Sequence, residues 1–432
     1  MAIDLRPYLP AASAPTELST MVMGLVGSEI LKIAAEIRGM VADGRKVLNL
    51  TVGDFSPAEF RIPTALEQGI RDALAEGHTN YPPSDGIPEL RKAVAAFVER
   101  QQGLVYPVES VLISGGARPL LYGAYRAVLN PGDTVLYPVP SWNNNHYTHL
   151  SGARAIVVKS GPETSFQPDP AALVPHLPNV QLVVLNSPLN PTGTAFSVDG
   201  LGAIATALVE ENRRRAARGE RPVMMVYDQI YSCLTPRPGD HVDPVSLVPE
   251  CAPYVILIDG ISKAFAATGL RVGWSLAAPS VTARMRDLLG HVGAWAPRPE
   301  QRATTALLDD HAAVDTYLAG MRAGVMARLD ALYQGLAKLK AEGLPVDVLP
   351  PAGTIYLSAQ IALHGKIPGV HTNEDVRRWV LREAGIGIVP FQAFAYPTDD
   401  GWFRLSVGAV GVAACEEGMV RLGAALRAAL PG

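Results

Sequence analysis

The sequence predicts an α/β protein built from two units of unequal size. Hydrophobic residues make up 48% of the 432 residues and charged residues 18%, which supplies a buried core and excludes wholesale disorder. Through the middle of the chain, short apolar runs alternate with helical patterns, which is typical of a mostly parallel sheet covered by helices on both faces. After about residue 310 the predicted strands become shorter, which indicates a smaller α+β unit.

The N-terminal part of the chain predicts one long helix, a strand and two further helices. Residues 21–41 place apolar side chains at helical spacing, with charged residues such as Glu29 and Lys32 between them, which indicates an amphipathic helix. Residues 47–50 form a short predicted strand. Helical patterns follow at about 64–76 and 87–102.

Six apolar runs in the middle of the chain are predicted strands, and most of the stretches between them are helical. The strands are expected at residues 111–113, 134–137, 155–158, 182–185, 223–227 and 255–258. The helices between and after them are expected at about 119–129, 198–218 and 281–291.

The last part of the chain predicts a long helix, four short strands and a closing helix. These elements are expected at about 314–342, at 346–349, 355–357, 386–389 and 402–407, and at 413–430. We therefore expect a large domain over residues 61–315 and a small C-terminal domain over 316–432. The N-terminal segment, residues 1–60, is expected to pack with the small domain.

Charge and cysteine content argue against several classes of protein. The chain has 37 basic and 41 acidic residues and a net charge of -4, which disfavours nucleic acid or anionic lipid as its main partner. Its three cysteines form no CxxC pair and no metal-ligand cluster, so no metal site is predicted. No basic and apolar leader and no run of about 18 apolar residues is present. We expect a cytoplasmic protein that does not bind a membrane.

Lys263 is the first candidate for chemistry. It follows an apolar strand that ends at Asp259 and lies in a turn that contains Gly260 and Ser262. A lysine held near apolar surface and near another cation, here Arg271, can act as a nucleophile toward aldehydes. The alternative is a solvated loop lysine.

Asp228 is the second candidate. It follows five apolar or aromatic residues, at the carboxyl end of a predicted strand, where ligands bind in open α/β sheets. A buried carboxylate needs a cationic partner, which a protonated heteroaromatic nitrogen would provide. Tyr231 is close enough in sequence to reach the same pocket. The alternative is that Asp228 caps a helix.

Two turns and two further side chains complete the set. The turn at residues 114–117 joins a strand to a helix and offers backbone N–H groups to a phosphate. Asn190, in NSPLNPTG, could fix a ring substituent, and Trp142 could lie flat on a heterocycle. Arg404, within an apolar strand, suits a carboxylate. The alternatives are ordinary turns, core packing and an internal salt bridge.

In this order and spacing, the motifs resemble those of the fold-type-I, class I/II aminotransferases, the aspartate aminotransferase superfamily, which use pyridoxal 5′-phosphate (PLP). The most specific segment is SKAFAATGLRVGW, which matches the family's lysine followed by TG-x-R-x-G. NSPLNPTG and YDQIY stand upstream at the expected separation. The resemblance spans about 48–407 and implies a mostly parallel seven-stranded sheet flanked by helices, plus a smaller α+β domain formed by the C-terminal part and the N-terminal segment.

The resemblance also implies how the cofactor is held. Lys263 would form the internal aldimine and later move the proton between the substrate Cα and the cofactor's C4′. Asp228 would pair with the pyridinium nitrogen, while Tyr231 and Asn190 would hydrogen-bond the ring's phenolate oxygen, and Trp142 would stack on the ring. The cofactor-binding turn and its partners would be Ser114, Gly115, Gly116 and Ala117, with Ser262 and Arg271 at the phosphate.

Substrate and partner contacts follow in the same way. Arg404 would clamp the substrate α-carboxylate, with Gly53, Trp142 and Asn190 beside it. Tyr81 would reach the phosphate of the neighbouring subunit's cofactor, which implies a homodimer with shared active sites.

The implied activity is transamination between an amino acid and a 2-oxo acid through pyridoxamine phosphate, with an aspartate/2-oxoglutarate-like or a general L-amino acid substrate. An aromatic amino acid is the nearest alternative. A β-lyase, a cyclising synthase or an oxidase would use the same cofactor frame. A regulatory protein on this scaffold would need an added DNA-binding module, for which the composition gives no sign.

The sequence departs from the family pattern at several positions. Gly260 stands where the family often has a hydroxyl residue. Phe391 stands where it has a glycine, and we expect this change to alter the wall beside the substrate side chain. Arg298 and Arg302 are candidates for a second carboxylate, reaching it from a partner subunit. Residues 143–146 are expected to line the pocket next to Trp142.

Overall fold

The computed structural model describes residues 2–9, 18–27 and 29–430, apart from the side chain of Leu31. It contains a seven-stranded sheet, a four-stranded sheet and a two-stranded pair, with helices around them. The predicted N-terminal segment includes residues 1, 10–17 and 28, and the predicted small domain includes residues 431–432. These lie outside the described residues.

The N-terminal segment forms two helices where the sequence predicted one. They are α1 (Thr20–Met23) and α2 (Glu29–Ala42), followed by β1 (Leu48–Asn49), α3 (Thr64–Ala75) and α4 (Pro88–Gln102). Gly24 ends α1 as its C-cap, and Gly27 lies in the break. Glycine costs a helix about 1 kcal/mol relative to alanine, so two glycines close together outweigh the apolar periodicity.

The seven-stranded sheet confirms the predicted mostly parallel architecture. Its strands and the helices between them, in chain order, are β2 (Val111–Ser114), α5 (Ala117–Val128), β3 (Thr134–Val139), α6 (Asn144–Leu150), β4 (Arg154–Lys159), α7 (Pro170–Leu173), β5 (Leu182–Asn186), α8 (Val198–Ala217), β6 (Met224–Asp228), α9 (Pro244–Leu247), β7 (Val255–Gly260), α10 (Ile261–Ala264) and β8 (Gly273–Leu276). The strand order is β2-β8-β7-β6-β5-β3-β4, and β8 is antiparallel to both of its neighbours. The sequence pattern located all of these strands except β8, whose residues GWSL mix glycine and serine with apolar side chains and so do not form an apolar run.

The C-terminal part forms the second, smaller sheet. After β8, α11 (Pro279–Val292) and α12 (Arg298–Asp309) still pack on the large sheet. The elements that follow are α13 (His311–Ala341), β9 (Val346–Val348), β10 (Tyr356–Ile361), α14 (Asn373–Glu383), β11 (Ile386–Gly387), β12 (Val389–Pro390), β13 (Trp402–Ser406) and α15 (Val412–Ala429). The four-stranded sheet is antiparallel, in the order β12-β13-β10-β9. The remaining pair joins β1 to β11 in parallel, so the N-terminal segment contacts the C-terminal part.

Two hydrophobic cores meet along α13. Val314 and Leu318, near its start, pack in the core of the seven-stranded sheet. Met321 and the apolar residues after it pack in the core of the small sheet, together with Leu48 and Leu50 from the N-terminal segment. We propose on this basis that the domain division lies near residue 316, with residues up to about 60 attached to the small domain.

The carboxyl ends of the parallel strands define one edge of the large sheet. Asn186, at the end of β5, lies in register with Asp228, at the end of β6. Asp228 in turn lies in register with Ile258 of β7. The face of the small sheet that carries Tyr356 and Arg404 approaches this edge. No helix within residues 2–9, 18–27 and 29–430 is long and apolar enough to cross a membrane.

Candidate active site

A cavity of about 630 Å³ lies at this edge, between the large sheet and strands β10 and β13. Helix α2 contributes a third wall. Ten of the residues predicted from sequence line it: Gly53, Ala117, Trp142, Asn190, Asp228, Tyr231, Ser262, Lys263, Arg271 and Arg404. The fold therefore brings together groups that are up to 351 positions apart, as between Gly53 and Arg404 (404 minus 53).

Lys263 presents its amine to the cavity. It lies on the one-turn helix α10, directly after the carboxyl end of β7. Its Nζ donates a hydrogen bond of 2.6 Å to the carbonyl oxygen of Gly53. The same atom lies 5.8 Å from the ring centre of Phe55 and 5.9 Å from that of Tyr231. The lysine is thus held between the N-terminal segment and aromatic rings, and no carboxylate among the described residues bonds its amine.

Asp228 lies at the cavity floor, where a small part of it remains accessible. Its carboxylate accepts a hydrogen bond of 3.1 Å from the backbone N–H of Ile230 and forms no ion pair with another described residue. Burial raises the pKa of Asp228 to about 6, against the lowering effects of the Ile230 amide and the Lys263 charge. A cation placed in the cavity would stabilise this carboxylate.

An anion-binding corner forms where α5 begins. Gly116 has a φ of 92° and precedes Ala117, the first residue of α5, whose N-terminus has no side-chain cap. A Cβ at Gly116 would lie 2.2 Å from Nη2 of Arg271, so only glycine allows this approach. Arg271 donates to the carbonyl oxygens of Gly115 and Thr268, at 2.8 and 2.7 Å. Uncapped N–H groups beside a guanidinium and Ser262 are a donor set that suits a phosphate.

The other residues of the predicted cofactor turn lie behind this corner. The Ser114 hydroxyl donates a hydrogen bond of 2.6 Å to the carbonyl oxygen of Ala294, which also accepts from the Gly115 N–H at 2.8 Å. Neither residue lines the cavity, nor does Gly116 itself. The hydrogen bonds of Ser114 and Gly115 hold the turn against the segment that follows α11.

Arg404 is the cation of the small-sheet wall. It is 1% exposed, and it donates to the carbonyl oxygen of Thr51 at 2.8 Å and to Oδ1 of Asn190 at 3.2 Å. Its Nε has no hydrogen-bond partner, and no carboxylate of the described residues bonds to it. Burial lowers the pKa of Arg404, because the low-dielectric surroundings disfavour the charged form. A carboxylate ligand would relieve this cost.

Several cavity residues were given no role from the sequence, and four of them are Arg118, Thr268, Tyr356 and Arg38. Arg118, next to the anion-binding turn, places its guanidinium 4.7 Å from the ring centre of Trp142. Thr268 bonds Asp54 at 2.6 Å, and Tyr356 bonds Tyr231. These contacts join residues distant in sequence, so no local pattern could reveal them.

The fourth, Arg38, did have a signal in the sequence. It is one of three α2 residues that line the cavity, the others being Ile30 and Ala34. The three stand four residues apart, so they share one face of the helix. The periodicity that predicted the helix therefore also contained its cavity-facing stripe.

Tyr81, Arg298 and Arg302 do not line the cavity. Tyr81 is 80% exposed and lies in a second groove, with its ring centre 5.0 Å from that of Trp295. Arg298 lines the same groove and donates to Asn80. These residues therefore do not line the cavity of their own chain, and their roles at a partner subunit's site stay predictions.

Two departures from the expected pattern have structural reasons. A Cβ at Gly260 would lie 2.8 Å from both Cα of Gly273 and the carbonyl oxygen of Val272, so β8 leaves no room for a side chain there. Phe391 is fully buried among aromatic rings, including Phe166, and does not line the cavity. Phe391 therefore does not itself line the cavity, and it could alter the wall beside the substrate only through its neighbours.

The predicted run after Trp142 divides into two pairs. Asn143 and Asn144 line the cavity, whereas Asn145 and His146 do not. The division arises because α6 starts at Asn144 and turns the following side chains away.

Comparison with known proteins places this geometry in a family. The family model described as "Aminotransferase class I and II" matches residues 45–422. The aspartate aminotransferase of Geobacillus stearothermophilus is 28% identical over 383 residues, which cover 88% of this chain and 92% of that protein. The aspartate/prephenate aminotransferase of Thermus thermophilus is 28% identical over 380 residues, covering 88% and 91%.

Solved structures agree with these sequence relatives. The aspartate aminotransferase of Thermus thermophilus with maleate superposes with a TM-score of 0.84 at 27% identity and covers 95% of this chain and all (100%) of that chain. The aspartate aminotransferase of Rhizobium meliloti gives a TM-score of 0.85 at 25% identity, covering 95% and 99%.

Proposed function

The chain belongs to the class I and II aminotransferases, which depend on PLP, and we propose that its cavity carries out transamination on an aspartate-like pair of amino acid and 2-oxo acid. The observation that carries the proposal is the convergence of an amine, a carboxylate and an anion-binding corner on one cavity. These are Lys263, Asp228 and the α5 N-terminus with Arg271. Each corresponds to one reactive part of PLP: its aldehyde, its ring nitrogen and its phosphate.

The residues present fit the cofactor. Asp228 has no cationic partner of its own, so it would hold a proton on the ring nitrogen. The Ala117 N–H, Ser262 and Arg271 would hold the phosphate, and Tyr231 and Asn190 would hydrogen-bond the ring oxygen. When bound, PLP supplies an electron sink that stabilises negative charge at the substrate Cα.

Lys263 would bind the cofactor's aldehyde carbon at rest and act as the base during turnover. Its amine has only the Gly53 carbonyl oxygen as a hydrogen-bond partner, and no carboxylate neutralises it. A base must reach the proton it removes within hydrogen-bond distance, and Lys263 is the amine that lines this cavity. We therefore assign it the transfer of the Cα proton.

Arg404 would bind the substrate α-carboxylate. Its guanidinium is buried, fixed by Thr51 and Asn190, and free of any carboxylate of the described residues. A planar guanidinium binds a carboxylate through two parallel hydrogen bonds, which fixes orientation as well as position. The Asn190 contact keeps this arginine beside the site proposed for the ring oxygen.

Arg38 and Arg118 favour a second carboxylate on the substrate. Once Arg271 and Arg404 are assigned to phosphate and α-carboxylate, these two remain as cavity-lining arginines, and neither forms an ion pair within the described part of the chain. They take the place that sequence reasoning gave to Arg298 and Arg302. The bound maleate of the Thermus thermophilus structure, itself a dicarboxylate, accords with this substrate class.

The substrate class can be tested by removing these charges. We expect Arg38→Ala and Arg118→Ala each to raise KM for aspartate by about tenfold, the loss of one charge-assisted contact, while KM for alanine changes little. Arg213→Ala, at an exposed arginine of α8 outside the cavity, is the matched control. Equal effects on aspartate and alanine would remove the two arginines from side-chain recognition.

We also propose a homodimer in which Tyr81 reaches the partner's phosphate site. Support comes from the exposure of Tyr81 and from exposed apolar side chains in the N-terminal segment, among them Ile3, Leu5, Tyr8 and Val26. A second copy would cover both. Sedimentation velocity checks the dimer, and a monomer at micromolar concentration would contradict it. The three free cysteines accord with a cytoplasmic location.

The central experiment is reduction of the PLP-treated protein with borohydride. We expect a visible absorption band that disappears on reduction, with the label at Lys263 in a peptide digest. Lys263→Ala should abolish turnover, and Lys92→Ala, at an exposed lysine of α4, should not. Protein that takes up no PLP would refute the proposal.

Other reactions on the same frame are separated by their products. A β-lyase or an oxidase forms product from the amino acid alone, whereas transamination requires a second 2-oxo acid for every turnover. We expect half-transamination by aspartate and glutamate, followed in the cofactor spectrum. A preference for tryptophan or phenylalanine would favour the aromatic alternative.

A further inference from the structure

The hydroxyl of Tyr231 already has a partner in the protein. Its oxygen lies 2.8 Å from the hydroxyl oxygen of Tyr356, and both rings are almost fully buried. The two residues come from opposite walls, because Tyr231 follows β6 of the large sheet and Tyr356 begins β10 of the small one. This pair is a direct polar link between the two walls of the cavity.

The surroundings of the pair are built closely around it. A Cβ at position 53 would lie 2.8 Å from the Tyr356 hydroxyl oxygen. Glycine at position 53 therefore leaves the space that this hydroxyl occupies. The guanidinium of Arg404 lies 4.4 Å from the ring centre of Tyr356. Tyr356 and Arg404 project from the same face of the β10–β13 ladder, in which Tyr356 pairs with Ser406 and Ser358 with Arg404.

Each hydroxyl has only one proton to donate. If Tyr231 donates a hydrogen bond to the ring oxygen of PLP, the role proposed above, its own oxygen must accept the hydrogen bond from Tyr356. Burial, and next the proximity of Tyr356, raise the pKa of Tyr231 well above its ordinary value, with Arg404 opposing, so Tyr231 keeps that proton. The other charged groups that face it are Asp228 and Lys263.

We propose that Tyr356 is a positioning residue that orients the Tyr231 hydroxyl toward the cofactor's ring oxygen and strengthens it as a donor. This inference rests on the proposed function. A hydrogen bond received by a hydroxyl makes that hydroxyl a better donor to the next acceptor. Tyr356 therefore stabilises negative charge on the ring oxygen without touching it, and lowers the proton affinity of the lysine-bound chromophore.

The experiment is a spectroscopic pH titration of the PLP-loaded Tyr356→Phe enzyme. We expect the chromophore's pKa to rise by about 0.5 to 1 unit, the equivalent of one ordinary hydrogen bond. In a Tyr231→Phe background the same substitution should give no further rise, because the intermediary is gone. A change of the same size in both backgrounds, or none in either, would overturn the inference.

The kinetics provide a second measure. Phenylalanine keeps the aromatic face on which Arg404 lies, so we expect Tyr356→Phe to lower kcat several-fold and leave KM unchanged. A rise in KM with unchanged kcat would show instead that the hydroxyl serves substrate binding, and would overturn the inference.

Tyr396→Phe is the matched control. Tyr396 is equally buried in the small-sheet part, bonds Asp400 at 2.9 Å, and has Lys159 at 5.1 Å from its ring centre. It should leave the titration unchanged, and an equal shift in this variant would overturn the specific role of Tyr356. If the PLP-treated enzyme shows no visible band, the proposed function is refuted. If the band is present but its pKa is the same in the parent and in Tyr356→Phe, only this inference is refuted.

Discussion

Two arginines in the small-sheet part of the molecule are almost completely buried, and they differ in what they bind. Arg377, on α14, donates to Glu374 and Glu36 at 2.7 to 2.8 Å. Arg404, on β13, bonds only a carbonyl oxygen and an amide oxygen. Each side chain leaves one nitrogen without a hydrogen-bond partner, so an unpaired nitrogen does not distinguish the two arginines. What distinguishes them is that no carboxylate of the described residues bonds Arg404, which marks it as the arginine available to a ligand.

The pKa values of the two arginines reflect this difference. Burial disfavours both charges, but the glutamates raise the pKa of Arg377, whereas burial prevails and lowers the pKa of Arg404. Arg377 has its counterions within the protein. Arg404 requires one from outside, which is the expected state of a carboxylate-binding residue before substrate arrives.

Two aspartates at neighbouring strand ends make a similar contrast. Asp259 is buried and accepts hydrogen bonds of 2.7 Å from the Ser232 hydroxyl and the Gly260 N–H. Burial raises its pKa to about 7, compared with about 6 for Asp228. A raised pKa therefore does not identify the functional carboxylate. Position does, because Asp228 lines the cavity and Asp259 does not.

The aspartate contrast predicts the largest effect. Asp228→Asn should lower kcat about 10³-fold, because the ring nitrogen loses the charge that keeps it protonated. Asp259→Asn should keep kcat close to that of the parent. Steady-state rates at saturating substrates, with PLP content measured for each variant, check this. Similar losses in both variants would show that the two carboxylates are not functionally distinct.

The arginine contrast predicts the next effect. Arg404→Met should raise KM for the amino acid about 100-fold, because a buried charge-assisted contact is removed. PLP binding should be retained, since the phosphate and ring contacts are elsewhere. An unchanged KM would place the carboxylate site at another residue.

Arg377→Met should act on stability instead. Losing the bonds to Glu374 and Glu36 should cost about 2 kcal/mol and lower the thermal unfolding temperature. KM should change much less than in Arg404→Met, although Glu36 lies on α2, whose other face lines the cavity. Differential scanning calorimetry and KM measured on the same preparation check both parts. A KM effect as large as that of Arg404→Met would erase the contrast.

The smallest effect concerns pH and the cofactor-free protein. Because the pKa of Asp228 is raised in the folded state, the folded protein holds a proton that the unfolded chain has lost, and stability falls as pH rises from about 4 to about 6. Asp228→Asn should remove this fall and make the cofactor-free protein more stable than the parent at pH 8, with no gain at pH 4. Urea unfolding at the two pH values measures it. Added PLP should reverse the sign, because only the parent gains a partner for its charge.

The sequence predicted the elements whose signals are local. The parallel strands were located because each is apolar on both faces, and Lys263 and Asp228 because each follows such a strand. It missed β8, whose role is set by its pairing with β2 and β7, and α12, where Pro297 and Pro299 obscured the helical pattern. The prediction of one continuous helix over residues 21–41 was wrong, because the spacing of apolar residues takes no account of the cost of glycine in a helix.

Within the site, distance along the chain decided what could be predicted. The residues proposed to contact the cofactor lie in compact motifs, so their residue types and order were informative. Tyr356 and Arg118 acquire meaning only from a partner in space, Tyr231 or Trp142. The burial of Phe391 away from the cavity was not predictable for the same reason, since nothing local shows that its ring packs against Phe166.

The tight packing of three glycine backbones constrains how this protein can evolve. Gly260 lies against Gly273, and a Cβ on Gly273 would in turn lie 2.6 Å from the carbonyl carbon of Gly116. A mutation that installs a hydroxyl side chain at position 260 would push β8 into the turn that cradles the anion. A hydroxyl residue at position 260 would therefore need compensating changes around β8, and the affinity for a phosphate would have to be altered through Ser262, Arg271 or the helix end instead.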